Sequence, residues 1–487
     1  MRARSLLGVT LGALAGCAQP IVFSGSMGSI EGSRPVIEQV AAPEQEQEIA
    51  PALAQIGVET TLSQDGFEAE GRSEFIARVR VRPEKLEGLP KPPVSVALVL
   101  DTSGSMAGEP IEEAKAAALD FIDALDDDDR VSLVVFHSVA ETLVPLRDLG
   151  DGGRALVREA LEGVRAEGTT ELLGGLSSGS AQLQPVVAGG GVGRVVLLSD
   201  GQPNDATNLL PVADQIASRG ITVTALGLGL EYDEDLLGKI AQRTGGKFHF
   251  AESPDQVATL FRDEVLALER VVGRSASLTL LPGPGVEIER VLGPAQSAAR
   301  SASVQLGDLT ELRERDVFVL LSSSGHTAGA TIEVLDAHLS FYDPIAKQHR
   351  TARSFASTLA VESADDISGN AEVERMAARA LAADEALAAL TLARSGKLAA
   401  AKKRVAIAIA RAKRDAARFD DDVLRKKVED LVEVRRVLPE VTPPRVRRPR
   451  RMAVGGGRPP AEPPRPAPVG GLGAKRSHAA AMAGLGY

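Results

Sequence analysis

Apolar and polar positions along this chain follow four successive patterns. Between Val58 and Arg82 they alternate: Ala77, Val79 and Val81 fall on one side and Arg78, Arg80 and Arg82 on the other, the period of a half-buried strand. From Val94 the pattern becomes continuous apolar runs separated by amphipathic stretches. Residues 94–100 are apolar on both faces apart from Ser95, as a central parallel strand requires. A helix is predicted from Pro110, with Glu112 and Glu113 in its first turn and Ile111, Ala114, Ala118, Phe121 and Leu125 on one face. Further strands are predicted over 131–136, 142–146, 194–198, 221–226 and 247–250. Helices are predicted over 154–164, 171–183, 209–218, 234–242 and 255–268. This alternation specifies an α/β domain over 94–270, a Rossmann-like, open and mostly parallel sheet with helices on both faces. From 271 to 360 strands return between Gly/Pro turns, over 276–281, 286–291, 317–321 and 330–334, which predicts an antiparallel β-sandwich. Segment 52–93 is expected to pair with it, so that the α/β domain is an insertion. Residues 371–438 are rich in Ala, Leu, Lys and Arg and read as an α-helical region, broken at Ser395-Gly396 and restarted at Asp420-Asp421-Asp422.

The two ends are of another kind. Residues 1–17 join a basic head to a short apolar run and finish in Leu14-Ala15-Gly16-Cys17, the order of a secretory signal; the run is too short to span a bilayer. Those four residues resemble the lipobox of bacterial lipoproteins. The resemblance implies cleavage between Gly16 and Cys17 and lipidation of Cys17, and the neutral Ala18-Gln19 that follow favour the outer over the inner membrane. Residues 18–51 are polar and rich in Glu and Gln, a flexible tether. Residues 439–487 hold 10 of the 28 prolines and nine Lys/Arg against two Asp/Glu, and read as a disordered basic tail.

Composition narrows the chemistry. Of 487 residues, 66 are Asp or Glu and 55 Lys or Arg, a net charge of −11 that argues against a nucleic-acid binder. Removing the tail's +7 leaves −18 for the preceding body. With one cysteine there is no intrachain disulfide and no zinc site of several thiolates. The six histidines are scattered, with none at metal-ligand spacing.

Candidate chemistry gathers where the predicted strands end. Directly after the first comes Asp101-Thr102-Ser103-Gly104-Ser105-Met106, at the carboxyl end where open α/β sheets place their ligand sites. Gly168-Thr169-Thr170-Glu171 opens a helix, and Ser199-Asp200-Gly201 ends a second strand. Carboxylates and hydroxyls are hard oxygen donors, suited to Mg²⁺, Mn²⁺ or Ca²⁺ and unsuited to zinc or copper. The set Asp101, Ser103, Ser105, Thr170 and Asp200 resembles the complete metal-ion-dependent adhesion site of a von Willebrand factor A (VWA) domain. In that family the two serines and the threonine touch the metal, the aspartates act through bound waters, and a partner protein supplies an Asp or Glu carboxylate. The order of domains is also similar to secreted bacterial A-domain proteins named by analogy with calcium-activated chloride channel accessory subunits or inter-alpha-trypsin inhibitor heavy chains.

Enzymatic motifs are missing. Asp101 lacks the second aspartate of a phosphatase nucleophile loop, because Ser103 stands there; Gly189-Gly190-Gly191-Val192-Gly193 precedes a strand instead of opening a helix; no Gly-x-Ser-x-Gly surrounds Ser105. The expectation is a non-enzymatic envelope lipoprotein whose Mg²⁺ site binds a protein, with membrane contact through the lipid anchor. The rival expectation is a scaffold in which the metal stiffens the domain and the helical region or basic tail makes the contacts. Arg445, Arg447, Arg448, Arg450 and Arg451 would serve the tail for attachment to anionic envelope polymers.

Overall fold

Chain segments apolar on both faces can be buried on both faces, and the strand after Pro93 is: every residue of Val94–Asp101 is buried. The computed structural model describes residues 55–85, 93–200, 202–228, 232–251, 256, 260, 271–293, 295–298, 300–440 and 471–486. The signal segment with Gly16 and Cys17, the tether, most of the helix expected over 255–268 and tail residues 441–470 lie outside them.

In chain order, β1 (Ile56–Leu62), β2 (Gly66–Glu68) and β3 (Arg72–Pro83) come first. The α/β stretch follows as β4 (Val94–Asp101), α1 (Glu109–Asp123), β5 (Arg130–Phe136), β6 (Ala140–Asp148), α2 (Gly153–Gly163), α3 (Leu172–Ala188), β7 (Val192–Ser199), α4 (Leu209–Ser218), β8 (Thr222–Leu228), α5 (Glu234–Thr244) and β9 (Phe248–Ala251). Next are β10 (Val271–Pro282), β11 (Val286–Val291), β12 (Gln296–Ala298), β13 (Ser301–Thr310), β14 (Arg315–Ser324), β15 (Thr331–Asp343) and β16 (Gln348–Val361). Helices α6 (Ala371–Arg394), α7 (Leu398–Phe419), α8 (Asp422–Val437) and α9 (Leu472–Gly484) complete it. Among the described residues no helix is long and apolar enough to cross a membrane.

Three sheets form among the described residues. The α/β sheet runs β6-β5-β4-β7-β8-β9, parallel except for β6 at its edge. Its strands feed two cores: Val96, Leu98 and Leu100 meet α1 and α2 on one face, while Ala97 and Val99 meet α3, α4 and α5 on the other. Close approach of α3 depends on Gly175 and Gly179, four residues apart on its inner face. A Cβ at Gly175 would lie 2.6 Å from the Phe136 ring, and one at Gly179 would lie 2.5 Å from Val99.

The other two sheets, β1-β3-β14-β11 and β12-β13-β10-β15-β16-β2, share one core in which Ala77 and Val79 face Leu278, Leu280, Ala337 and Leu339. Strands from before and after the α/β stretch thus meet in one sandwich, with β3 paired to β14 over ten positions. A buried ion pair ties the units: the Arg194 guanidinium on β7 donates to Asp308 on β13 at 3.0 Å and to the Thr222 hydroxyl at 3.0 Å.

The C-terminal stretch corrects the expectation of disorder over 439–487 in one part. Residues 472–484 form α9, and Ala474, Lys475, Ser477, His478, Ala481 and Met482 are buried on it. It packs against α6, α8, α5 and β9. The Lys475 ammonium is fully buried; it donates to the Tyr232 carbonyl at 2.7 Å and the Glu234 carboxylate at 3.0 Å, and lies 3.6 Å from the Tyr232 ring centroid. Arg394, from the end of α6, donates to the other oxygen of Glu234. Glu234 at the start of α5 therefore joins three elements distant in sequence. Its two cationic partners oppose the effect of burial and hold its carboxyl down at about 2.

His478 packs edge-on against Phe248 within this junction, and burial, first, with Arg394 beside it holds its imidazole down at about 3. A histidine kept neutral in the fold and free to ionise when released contributes stability above its ordinary value near 6.5, and loses it as pH falls toward the lowered one. Glu234, also lowered, works in the same direction but only below its ordinary range. Asp233, pushed up by burial, works in the opposite direction. Asp235, Arg394 and Lys475 complete the charges around the imidazole. Between pH 6.5 and about 5 the histidine contributes a loss of up to about 1.4 kcal/mol per pH unit as pH falls, which the difference between wild type and His478→Leu isolates. The thermal midpoint is expected to fall over that interval, and His478→Leu to flatten the slope. A wild-type midpoint independent of pH there would contradict it.

Candidate functional site

The carboxyl ends of β4 and β7 are neighbours because the two strands pair in register, Leu100 opposite Leu198. That pairing brings the two expected carboxylates to one place. Asp101 is fully buried; its Oδ1 accepts the Ser103 amide at 2.9 Å and its Oδ2 accepts the Ser199 hydroxyl at 2.6 Å. The Ser103 and Ser105 hydroxyls lie 3.1 Å apart, and the Ser105 hydroxyl donates to Asp200 Oδ1 at 2.8 Å. Asp101, Ser103, Ser105, Ser199 and Asp200 form one hydrogen-bonded chain.

The third loop is stitched to the first by its backbone. The Gly104 amide donates to the Gly168 carbonyl at 3.2 Å, and the Glu167 amide to the Thr102 carbonyl at 2.7 Å. Thr170 is buried on this loop, and its carbonyl accepts the Asn204 amide at 2.9 Å from the segment after Asp200. The neighbouring threonine is used differently: Thr169 is exposed, and its hydroxyl sits between Ser138, at 3.3 Å, and the Asn204 side chain, at 2.9 Å. Of the adjacent pair, Thr170 is the inward one. Downstream, Glu171 caps α3 by accepting the Gly174 amide at 2.7 Å, which fixes where this loop ends. Ser199 and Asn204 are the residues sequence reasoning missed. Ser199 could have been read from its place beside Asp200; Asn204 carries no comparable signal.

Burial pushes the Asp101 carboxyl above the usual carboxylate range, against the opposing hydrogen bonds from Ser103 and Ser199. Those donors are neutral, so a negative charge at this position is stabilised by dipoles and not by a cationic side chain. Two carboxylates, one of them fully buried, together with three hydroxyls suit a hard divalent cation such as Mg²⁺. Among the described residues no three or more His, Cys, Asp or Glu side chains gather to hold a metal, so the hydroxyls are indispensable to such a site.

Residues 95–263 match the family described as von Willebrand factor type A domain. An uncharacterized protein of Synechocystis sp. is 31% identical over 238 residues, 46% of this chain and 56% of its own length. Inter-alpha-trypsin inhibitor heavy chain H4 of Bos taurus is 30% identical over 176 residues, 34% of this chain and 19% of its own length. This chain therefore spans well under two thirds of both relatives. Among solved structures, a von Willebrand factor type A protein from Catenulispora acidiphila superposes with a TM-score of 0.64 at 19% identity, covering 80% of this chain and 91% of the other. Such coverage reaches beyond the α/β sheet, so the likeness in fold takes in more than that one domain. By family match and by fold, residues 95–263 of this chain form a von Willebrand factor type A domain.

Proposed function

We propose that this chain is a cation-dependent protein-binding module of the bacterial envelope, held to a membrane through Cys17 and non-enzymatic. The observation that carries the reading is the hydrogen-bonded chain from Asp101 through Ser103 and Ser105 to Asp200 at the ends of β4 and β7. Ser103, Ser105 and Thr170 would hold a Mg²⁺ ion, with Asp101 and Asp200 neutralising it from behind. When bound, such an ion supplies Lewis acidity toward an incoming carboxylate oxygen. The protein's own part is positional. Ser199 fixes one oxygen of Asp101 and the Ser103 amide the other, so the carboxylate cannot turn away from the loop. With neutral hydroxyls in contact and the carboxylates set back, the ion would still attract an anion on its outer side, where a partner's Asp or Glu would complete the shell.

The test is capture of envelope proteins by the immobilised chain with Mg²⁺, with EDTA, and with Asp101→Ala in Mg²⁺, the fold being checked by circular dichroism. Capture is expected in the first case and a loss of at least about tenfold in the other two, the scale of one charge-assisted contact. Capture that survives both treatments in a folded protein would sink the reading.

A further inference from the structure

Charge is divided unevenly among the C-terminal helices. Helix α6 carries three Lys or Arg against four Asp or Glu, and α8 carries five against four, but α7 carries seven against Asp415 alone. That excess stands on a chain whose net charge is −11. Three of the seven cations serve the fold. The Arg404 guanidinium donates to Glu385 at 2.5 and 3.0 Å, Arg418 donates to Glu374 at 2.5 Å, and Arg411 lies 3.8 Å from Asp415. Glu374 and Glu385 belong to α6, so two of these ties hold α7 to its neighbour.

The other four, Lys402, Lys403, Lys413 and Arg414, are exposed and have no anionic partner among the described residues. Helical spacing gathers them on one side. Val405, Ile409, Ala412 and Ala416 turn inward to the core, while Ala399, Ala406, Ala410 and Ala417 form an exposed row opposite, flanked by the four cations. Ile407, 61% exposed, lies one turn from Lys403 on the same side. The arrangement costs stability locally, because Arg414 stands three residues from Arg411 and four from Arg418, spacings at which like charges repel. No contact within the described fold offsets the repulsion at Arg414.

We propose that this outer face of α7 docks on an anionic phospholipid surface. The contact is separate from the cation site and rests neither on it nor on a lipid anchor at Cys17. Charge complementarity sets the sign of the occupant, and shape sets its kind. The outer side of a helix is convex, and a row of alanines offers neither a pocket nor the large anchors that carry affinity between proteins. Four cations spread over about 18 Å at 1.5 Å per residue suit a continuous plane of phosphates. Three of the four are lysines, compact charges on flexible stems that need no fixed bidentate partner. Ile407 adds an apolar tip for the acyl boundary, and the neighbouring lysine stems can reach back from it to the headgroups.

The chain contains no tryptophan, so Ile407→Trp places a single indole on this face. The full chain with that change is titrated in EDTA with phosphatidylglycerol vesicles and, separately, with neutral phosphatidylcholine vesicles. Expected is a blue shift of the indole emission on the anionic vesicles alone, abolished at high salt. The apparent affinity should fall about fivefold for each of Lys402, Lys403, Lys413 and Arg414 replaced by glutamine, the scale of one cation at such a surface. Asp101→Ala should leave the shift in place, and so should glutamines at Arg445, Arg447, Arg448, Arg450 and Arg451 of the tail. Co-sedimentation of the chain with Ile407 intact, against its four-glutamine variant on the same two vesicles, shows that the indole did not create the contact. The absence of a shift on anionic vesicles, or a shift that persists with all four cations replaced, would overturn the proposal. So would a shift on poly-L-glutamate and none on vesicles, which would assign the face to acidic proteins.

Discussion

Replacing Glu234 by alanine is expected to destabilise the folded chain by about 3–5 kcal/mol, the scale for leaving a buried charge without its partner. The size follows from an unequal division of charge: one carboxylate serves two cations, the fully buried Lys475 and the nearly buried Arg394. Arg394 would retain Asp235 at 3.5 Å, and Lys475 the Tyr232 carbonyl and ring, which is too little for two desolvated charges. Lys475→Met is expected to cost far less, about 1 kcal/mol or under, because Glu234 keeps Arg394 and the unbranched methionine side chain can follow the path of the lysine stem. The order of the two effects is the informative result. Chemical denaturation monitored by circular dichroism measures both. Equal losses from the two variants would mean that packing of α9, and not the buried charge, holds the junction.

That junction also shows what the sequence conceals. The central strand of the VWA domain is legible because burial on both faces forces an unbroken apolar run, and the candidate loop is legible because Asp101, Ser103 and Ser105 stand together at the end of that strand. Helix α9 offers neither signal. It reads Leu-Gly-Ala-Lys-Arg-Ser-His-Ala-Ala-Ala-Met-Ala-Gly, and its buried face carries Lys475 and His478, residues that a sequence reading assigns to solvent. Their burial is possible because Glu234 lies 241 positions away, and no local pattern encodes a partner at that distance. Strand β16 escapes for a related reason: its inward positions, Ala352, Ala356 and Ala360, are too small to mark a face between arginines, threonines and serines. At the candidate site, sequence alone weighs Thr170 against a neighbour with the same hydroxyl; in the fold Ser138 and Asn204 engage the Thr169 hydroxyl, and Thr170 is the buried one of the pair.

Magnesium is expected to raise the thermal midpoint of the wild-type chain and to leave that of Asp101→Asn where it was. An ion present at a hundred times its dissociation constant contributes about 2.7 kcal/mol to the state that binds it, a shift of about 5 °C in a domain of this size. The metal-free comparison should run the other way. With neutral donors alone around it, burial makes the charged form of the Asp101 carboxyl costly in the absence of a cation and pushes its pKa up. An asparagine can keep the bond from the Ser103 amide and offer its own amide to the Ser199 oxygen, so the metal-free variant should match or exceed wild type, within about 1 kcal/mol. Ser105→Ala separates holding the ion from neutralising it: that change keeps both carboxylates and removes one ligand and the link to Asp200, so it should reduce the magnesium shift without the gain in the metal-free state. If Asp101→Asn were strongly destabilised without metal and still gained from magnesium, the carboxylate would be a structural hydrogen-bond acceptor and the ion would bind elsewhere. A crossing of the two curves, with the variant at least equal in EDTA and the wild type ahead in magnesium, is what a loop built around a cation requires.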